Sequence, residues 1–310
     1  MIRNPMDVLT QFPIRKSRKQ KAAFRDSVRS YAESLGYPVN IEAGSFGAKN
    51  VIIGDPDTAK YLVTAHYDTP AGMIFPNLMT PCNFWTFMGY QIIVTAVIMG
   101  AALLPGFLLI LLGMPSEFAP IVWAVCAYLV LGLMMFGPAN KSNANDNTSG
   151  VVTVLATAAA MPEQWKDRVC FVLFDLEEAG LFGSASYAQT HKKQVKNQTI
   201  LNCDCVGDGD ELMLFPNGKI KKDKLQMEAL RGICDSEGGK SLAIREKGFA
   251  IFPSDQMNFP KGVGIAAFRR SKWAGLYSDK IHTKKDTVLD EQNVSFLRDK
   301  LIELIGSAAQ

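Results

Sequence analysis

Histidine is scarce in this chain, with three residues in 310. Any chemistry that needs an imidazole must draw on His66, His191 or His282. An excess of one charge is also lacking. Lys and Arg number 33 against 30 Asp and Glu, for a net charge of +3. That balance gives no sign of the strongly basic face that nucleic-acid binding uses, so no nucleic-acid partner is expected. Six cysteines occur, but never as a CxxC pair, which argues against a thiolate metal centre. Cys203 and Cys205 alternate around Asp204 as residues of a buried strand do. The N-terminus is polar, runs into the basic stretch 15–21, and shows no apolar segment followed by a cleavage site. A secretory leader is therefore not expected, and the cysteines read as free thiols in a reducing compartment. Internal repeats and low-complexity linkers are absent as well.

Charge all but disappears from one segment. Between Asn83 and Asn140 the only charged residue is Glu117, and this region raises the mean hydropathy to +0.06. Phe84 to Leu112 and Pro120 to Gly137 each carry no charge and are long enough to cross a hydrocarbon core, which needs roughly 20 helical residues. Pro105 kinks or ends the first, and residues 113–117 form a turn. A two-helix transmembrane hairpin is the expected object. A hydrophobic lid, or a buried helical pair in a soluble dimer, is the alternative. A hairpin returns the chain to its starting side, so residues 1–82 and 138–310 can form one discontinuous catalytic domain around an insert at 83–137. The basic N-terminal run and Lys141 flank the insert, while its turn carries only an acid. The positive-inside trend then favours a cytoplasmic catalytic domain, with the bilayer as partner through residues 84–137.

Outside the insert, apolar strands alternate with helices. Ser17 to Leu35 reads as an amphipathic helix with Phe24, Val28, Tyr31 and Leu35 on one face. Strands are expected at Tyr37 to Ala43, Asn50 to Gly54, Tyr61 to Ala65, Arg168 to Phe174, Thr199 to Cys203 and Gly264 to Phe268. Helices are expected at Ser149 to Ala160, Leu181 to Thr190, Lys222 to Ser236 and Asp290 to Ile305. The alternation predicts an α/β fold, with a mixed, mostly parallel sheet flanked by helices and the two-helix hydrophobic hairpin inserted.

The polar residues that end these strands form five motifs in order: His66-Tyr67-Asp68, Asp146-Asn147-Thr148-Ser149-Gly150, Asp175-Leu176-Glu177-Glu178-Ala179-Gly180, Asn202-Cys203-Asp204 and His282-Thr283-Lys284-Lys285-Asp286-Thr287. Polar residues at the carboxyl ends of buried strands are where open α/β sheets place their sites. Two imidazoles with several carboxylates suit zinc, which takes nitrogen and oxygen ligands. Each motif also has a plainer reading. The second suits a helix N-cap, with Thr148 or Ser149 capping. Glu177 and Glu178 suit a helix start, where the macrodipole favours acids. His282 could be a loop residue, and His191 reads as a solvated helix end.

As a set, the motifs resemble the zinc aminopeptidases of metallopeptidase family 28, of which bacterial leucyl aminopeptidase is the simplest member. The resemblance covers Val51 to Asp68 and Asn145 to about Ile305. It implies a phosphorylase/hydrolase-like zinc peptidase fold and two zinc ions, with cobalt or manganese accepted by the same ligands. Carried over by position, His66 and Asp204 bind one ion, Glu178 and His282 the other, and Asp146 bridges them. Glu177 is the general base, and Asp68 orients the His66 ring. The resemblance also implies an unusual backbone at Asn147, and makes Tyr277 the candidate for an oxyanion-stabilising tyrosine. Gln256 stands where the family often has His, near the substrate pocket. The implied activity is removal of N-terminal residues from peptides. Two alternatives stay open: a glutaminyl cyclase or other zinc amide hydrolase, and a non-catalytic receptor or scaffold on a peptidase fold.

Overall fold

The computed structural model describes every residue except Ile74, Pro76 and 308–310. Its centre is a ten-stranded mixed sheet. In chain order the strands are β1 (Val39–Ala43), β2 (Lys49–Ile53), β3 (Tyr61–His66), β4 (Val169–Phe174), β5 (Thr199–Cys203), β6 (Glu211–Pro216), β7 (Ser236–Glu237), β8 (Lys240–Ile244), β9 (Gly262–Ser271) and β10 (Gly275–Tyr277). Their spatial order is β1-β2-β4-β3-β5-β9-β6-β8-β7, with β10 paired to β9. The middle of the sheet, β4-β3-β5-β9, is parallel. Towards both edges the pairing turns antiparallel, at β1-β2, β2-β4, β6-β9 and β7-β8.

The helices are α1 (Asp7–Gln11), α2 (Arg18–Ser34), α3 (Phe84–Leu111), α4 (Ala119–Phe136), α5 (Gly150–Ala160), α6 (Phe182–Thr190), α7 (Lys224–Gly232) and α8 (Glu291–Ser307). Side chains alternate across the strands, as a period of two requires. Tyr61, Val63 and Ala65 of β3, with Phe171 and Leu173 of β4, meet α2, α5, α7 and α8 in the main core. Leu62, Cys170, Val172 and Phe174 point the other way, towards Tyr187 of α6 and Phe259. α2 begins as its sequence suggests. Ser17 caps it, and Gln20 completes a capping box.

The inserted segment forms two apolar helices, α3 of 28 residues and α4 of 18. Pro105 lies inside α3 and does not end it. Gly106 lets the helices approach, since a Cβ there would lie 2.4 Å from the Trp123 ring nitrogen. Trp123 Nε1 donates to Leu103 O at 2.9 Å. Both helices are long and apolar enough to cross a membrane, and very little of either is buried against the rest of the chain. Ile92, Leu111 and Leu133 are each more than 60% exposed, the opposite of a soluble core helix. The chain leaves and rejoins the sheet domain through paired backbone, with Gly72 N–H donating to Pro138 O and Asn140 N–H to Pro70 O.

Strands β6, β7, β8 and β10 and helix α1 have no counterpart in the sequence reading. Glu-Leu-Met-Leu-Phe-Pro in β6 carries no β-branched residue, and β7 and β10 have only two and three residues. Such short stretches give no periodic signal. The expected helix over Lys222 to Ser236 stops at Gly232, and Ser236 enters β7. All six cysteines are free.

Candidate active site

The carboxyl ends of the parallel strands converge on one acidic cleft. His66 is the last residue of β3, and Asp68 follows two residues on. The loop after β4 carries Asp175, Glu177 and Glu178, and Asp204 follows β5 directly. Asp146 precedes α5. His282 lies in the loop between β10 and α8. The Asp146–Asn147 peptide is cis, which places an unusual backbone where the resemblance suggested one. Leu176, Cys205 and His282 are non-glycine residues in the left-handed region, with φ of 57°, 57° and 60°. Each sits at or beside a candidate ligand, and such backbone is uncommon away from functional sites.

The candidate ligands fall into two groups that share Asp146. In each group, one ligand atom per residue lies within 4.8 Å of the others: His66, Asp146 and Asp204 in the first, Asp146, Glu178 and His282 in the second. The His66 Nε2 is 3.4 Å from Asp146 Oδ1 and 3.6 Å from Asp204 Oδ1. His282 Nε2 is 2.9 Å from Asp146 Oδ2 and 3.5 Å from Glu178 Oε2. Glu177 also comes within 4.8 Å of His66 and Glu178, so a further carboxylate borders the cluster. Glu178 Oε1 and Asp204 Oδ1 are buried with no hydrogen-bond partner. Unpaired buried oxygens beside two imidazoles fit divalent zinc, whose ligands are nitrogen and oxygen.

Asp68 has two tasks. Its Oδ1 lies 3.5 Å from His66 Nδ1. The same carboxylate accepts the backbone N–H groups of Glu177 at 3.1 Å and Glu178 at 3.3 Å. It thus ties the end of β3 to the loop after β4. Asp286, from the last motif, accepts the N–H groups of Asn145 at 2.8 Å and Asp146 at 3.0 Å. Burial, reinforced by Asp146, pushes Asp286 up to about 8.

The second motif caps α5 differently from expectation. Asn147 Oδ1, not Thr148 or Ser149, accepts the Gly150 N–H at 3.0 Å. Ser149 Oγ donates to Asn145 O at 2.6 Å and accepts from Val206 N–H. Gly150 has a packing reason, because a Cβ there would lie 2.3 Å from Cys203 O.

The electrostatics are those of a concentrated acid cluster. Burial, then Glu178 and Asp204, push Glu177 well above the usual carboxylate range against the pull of His66. Burial and Asp146 raise Glu178 in the same direction. Asp146 goes the other way: burial opposes it, but His282 and His66 hold it low. Burial alone would depress His66, yet Glu177, Asp146, Asp204 and Asp68 outweigh it and keep the ring pKa high. A dication among these groups would favour the ionised form of each acid.

Cations back the cluster from the N-terminal segment. Arg15 is fully buried and donates through Nε to Tyr67 O at 2.6 Å and through a terminal nitrogen to Thr148 Oγ1 at 3.1 Å. Burial lowers it to about 10 in spite of Asp68 and Asp146. Lys21 pairs with Asp175, and Arg25 donates to the Tyr67 hydroxyl. These residues, with Asp286 and Asp255, are absent from the sequence-based site. Asp255 is wholly buried with neither carboxyl oxygen hydrogen-bonded. Burial pushes it up to about 7, against the pull of His66. Lys21 and Arg25, four apart on α2, are the one signal that could have found a buried cationic face.

Three expected placements read differently. Tyr277 lies on β10 with the Arg269 guanidinium 4.9 Å over its ring, and it is not on the cleft wall. Gln256 is buried, accepting from Asn202 and donating to Phe252 O, so both ends of its amide serve the fold. His191 is not a free helix end: its Nε2 is 2.8 Å from Glu42 Oε2 and its ring stacks on Tyr187 at 4.2 Å.

Groups of candidate metal ligands at the carboxyl ends of a parallel sheet centre are the arrangement of a metal-dependent hydrolase. The profile of Peptidase family M28 matches residues 132–298, more than half of the chain, and the chain belongs to that family. No curated protein matches its sequence. Many solved structures share its fold, three of them as follows. The LapA aminopeptidase of Legionella pneumophila is 13% identical with a TM-score of 0.58, over 99% of this chain and 71% of that one. Porphyromonas gingivalis glutaminyl cyclase is 14% identical, with a TM-score of 0.57, over 96% and 94%. A Zn-dependent exopeptidase from Parabacteroides distasonis is 15% identical, with a TM-score of 0.56, over 95% and 93%. At these identities the likeness is one of fold.

Proposed function

We propose that this chain is a membrane-anchored, two-zinc aminopeptidase. The observation that carries the reading is the pair of ligand groups sharing Asp146, with Glu177 beside them. A shared carboxylate can hold two cations about 3.5–4 Å apart. In this reading His66, Asp146 and Asp204 hold one zinc, and Asp146, Glu178 and His282 the other. Bound zinc supplies Lewis acidity to the scissile carbonyl and to the attacking water.

The chain's own groups supply the proton transfers. Glu177 belongs to no group that includes Asp146, so it is free to take the proton of the attacking water and return it to the leaving amine. Its burial among acids suits it to hold that proton between the two steps. Asp68 orients the His66 ring and fixes the Glu177–Glu178 backbone. A free substrate amine meets an excess of carboxylates, which favours an N-terminal residue over an internal bond.

Residues 1–82 and 138–310 form the catalytic domain, and 83–137 the anchor in the bilayer. The outward-facing apolar side chains of α3 and α4 support the anchoring. Trp85 and Trp273 are 81% and 90% exposed at the base of the hairpin, as aromatic side chains at a membrane boundary are. Lys16 Nζ is 3.4 Å from Met135 O at the end of α4, and this basic flank favours a cytoplasmic catalytic domain.

The test uses detergent-purified, zinc-loaded protein with matched peptides bearing free or acetylated N-termini. Stepwise cleavage of the free set alone is expected. Cleavage of neither, with zinc bound, turns the assignment towards glutaminyl cyclisation or another amide hydrolysis. Recovery of the full chain in the soluble fraction without detergent overturns the anchoring.

A further inference from the structure

The hairpin does more than hang from the catalytic domain. The cleft that contains the acidic cluster has a volume of about 570 Å³, and its far wall includes Phe87 and Gln91 of α3 and Met135 of α4. Phe87 and Gln91 are four residues apart and so share one helix face. Phe87 is fixed by Phe249, whose ring lies 5.7 Å away. The Trp123–Leu103 hydrogen bond sets the register of the two helices. Twelve residues back along α3 and twelve forward along α4 bring Gln91 and Met135 to one level.

With the hairpin seated in a bilayer as proposed above, that level falls at a membrane boundary. At 1.5 Å per residue, the 28 residues of α3 extend about 42 Å and the 18 of α4 about 27 Å. A hydrocarbon core is about 30 Å thick. α3 would therefore overhang by about two turns, and an overhang on the catalytic side spans residues 84–91, from which Phe87 and Gln91 line the cleft. Met135, at the last turn of α4, sits at the same edge, where Lys16 meets its carbonyl. The outermost wall of the cleft is thus built from the membrane helices at headgroup depth.

Chemistry of the wall says what it receives. Every carboxylate and imidazole of the cleft belongs to the candidate metal ligands or is the candidate base Glu177, and the one other titratable group is the Cys205 thiol. Among the described residues, the remaining lining carries no charge: it is apolar side chains such as Leu78, Phe87, Met135 and Ile281, with the amides of Asn77 and Gln91. Lys16, which donates to Met135 O, is a cation beside this wall but does not line the cleft. A charged N-terminal side chain would find no partner among the lining side chains of the wall and would lose its hydration. An apolar one gains burial.

We propose that the base of the hairpin is the specificity-determining wall of the cleft. Phe87 and Met135 receive a large apolar N-terminal side chain, and Gln91 hydrogen-bonds the backbone of a peptide lying at the bilayer surface. This rests on the aminopeptidase reading for the reaction but not for the binding.

The test uses the full chain, zinc-loaded, in phosphatidylcholine nanodiscs, and has two arms. In the first, p-benzoylphenylalanine replaces Phe87 in the Glu177→Gln background, and biotinylated peptides beginning with Phe, Ala or Asp are irradiated with it. Capture of the Phe peptide at least tenfold above the Asp peptide is expected, and equal capture overturns the proposal. In the second, kcat/KM is compared for Phe- and Ala-initiated peptides. Phe87→Ala and Met135→Ala should each lower the Phe-to-Ala ratio at least tenfold, the scale set by removing apolar contacts from a pocket. Phe87→Leu serves if Phe87→Ala does not fold. Ile93→Ala, on the outward face, should keep the ratio. An equal loss for both peptides overturns the wall while leaving the exopeptidase reading intact. Selective capture with no turnover of any free-amine peptide by the unaltered protein leaves the wall intact and overturns that reading.

Discussion

Lys21 of α2 and Asp175 after β4 form an ion pair of 2.6 Å, their side chains only 10% and 2% exposed. Asp175 also accepts the N–H groups of Lys49 at 3.1 Å and Leu176 at 2.9 Å. The N-terminal helix is thereby tied to the loop that delivers Glu177 and Glu178. Burial and Asp68 push Asp175 upward, and Lys21 opposes them. Lys21→Met should leave a buried carboxylate without its cation and cost about 3–5 kcal/mol of stability. Denaturant unfolding in detergent checks this. Adding Asp175→Asn should recover part of the loss, because it removes the uncompensated charge.

Glu177→Gln should retain zinc and lose turnover by about 10²–10⁴-fold, the range that positioned acid–base groups contribute. Metal content and kcat are measured on the same sample. Near-normal turnover would remove Glu177 as base.

Metal stoichiometry separates the two ligand groups. The unaltered protein should bind two zinc ions per chain. His66→Ala and His282→Ala should each weaken one ion selectively, whereas Asp146→Ala should weaken both. Equilibrium dialysis with elemental analysis reads this directly. One ion in the unaltered protein would sink the two-zinc reading.

Gly150→Ala places a methyl group against Cys203 O and Asn147 Oδ1. Neither can retreat, since one is strand backbone and the other caps α5 and accepts from Cys205 N–H. A loss of about 1–3 kcal/mol is expected from overpacking alone, with weaker zinc binding through the shifted Asp146. A thermal melt unchanged from the parent would show that the strand yields.

Asp290 governs a pH effect away from the cleft. It accepts the Gln292 N–H at the start of α8 and pairs with Lys240. Burial opposes its ionisation, but Lys240 and the Gln292 amide prevail and lower its pKa. A lowered carboxylate pKa contributes stability that is present above the unfolded value, near 4, and lost as pH falls through the folded value. Asp290→Ala should therefore reduce the melting temperature at pH 7, and the reduction should shrink as the pH falls below the unfolded value. A third of this side chain is exposed, so the effect should stay near the 0.5–2 kcal/mol typical of a cap.

Much of the molecule is legible in its residues. β5 runs Thr199–Cys203 as read, and β3 and β4 differ from the reading by one residue at one end. Fully buried strands announce themselves as short apolar runs ending in a polar residue. The edge beyond β9 was not legible, because β6 carries no β-branched residue and β8, Lys-Ser-Leu-Ala-Ile, is short and mixed in polarity. His66, Asp146, Glu177, Glu178, Asp204 and His282 were all singled out, and the structure brings them to one cleft. Asp286 stood in a recognised motif without a role, and Arg15 was read only as part of the basic N-terminal run. Only burial separates Arg15 from Lys19, its exposed neighbour in that run.

The sequence by itself determined the local matters: strand ends that are polar, an insert of two charge-free helices, and the residue types a zinc site requires. These follow from periodicity, capping and hydropathy, which act over a few residues. Tertiary structure alone decided that Asp146 stands between two imidazoles, that cations from the N-terminal segment lie beneath the acids, and that the foot of the hairpin closes the cleft. Each of those joins residues dozens to hundreds of positions apart, and no local preference encodes the direction from which such partners arrive.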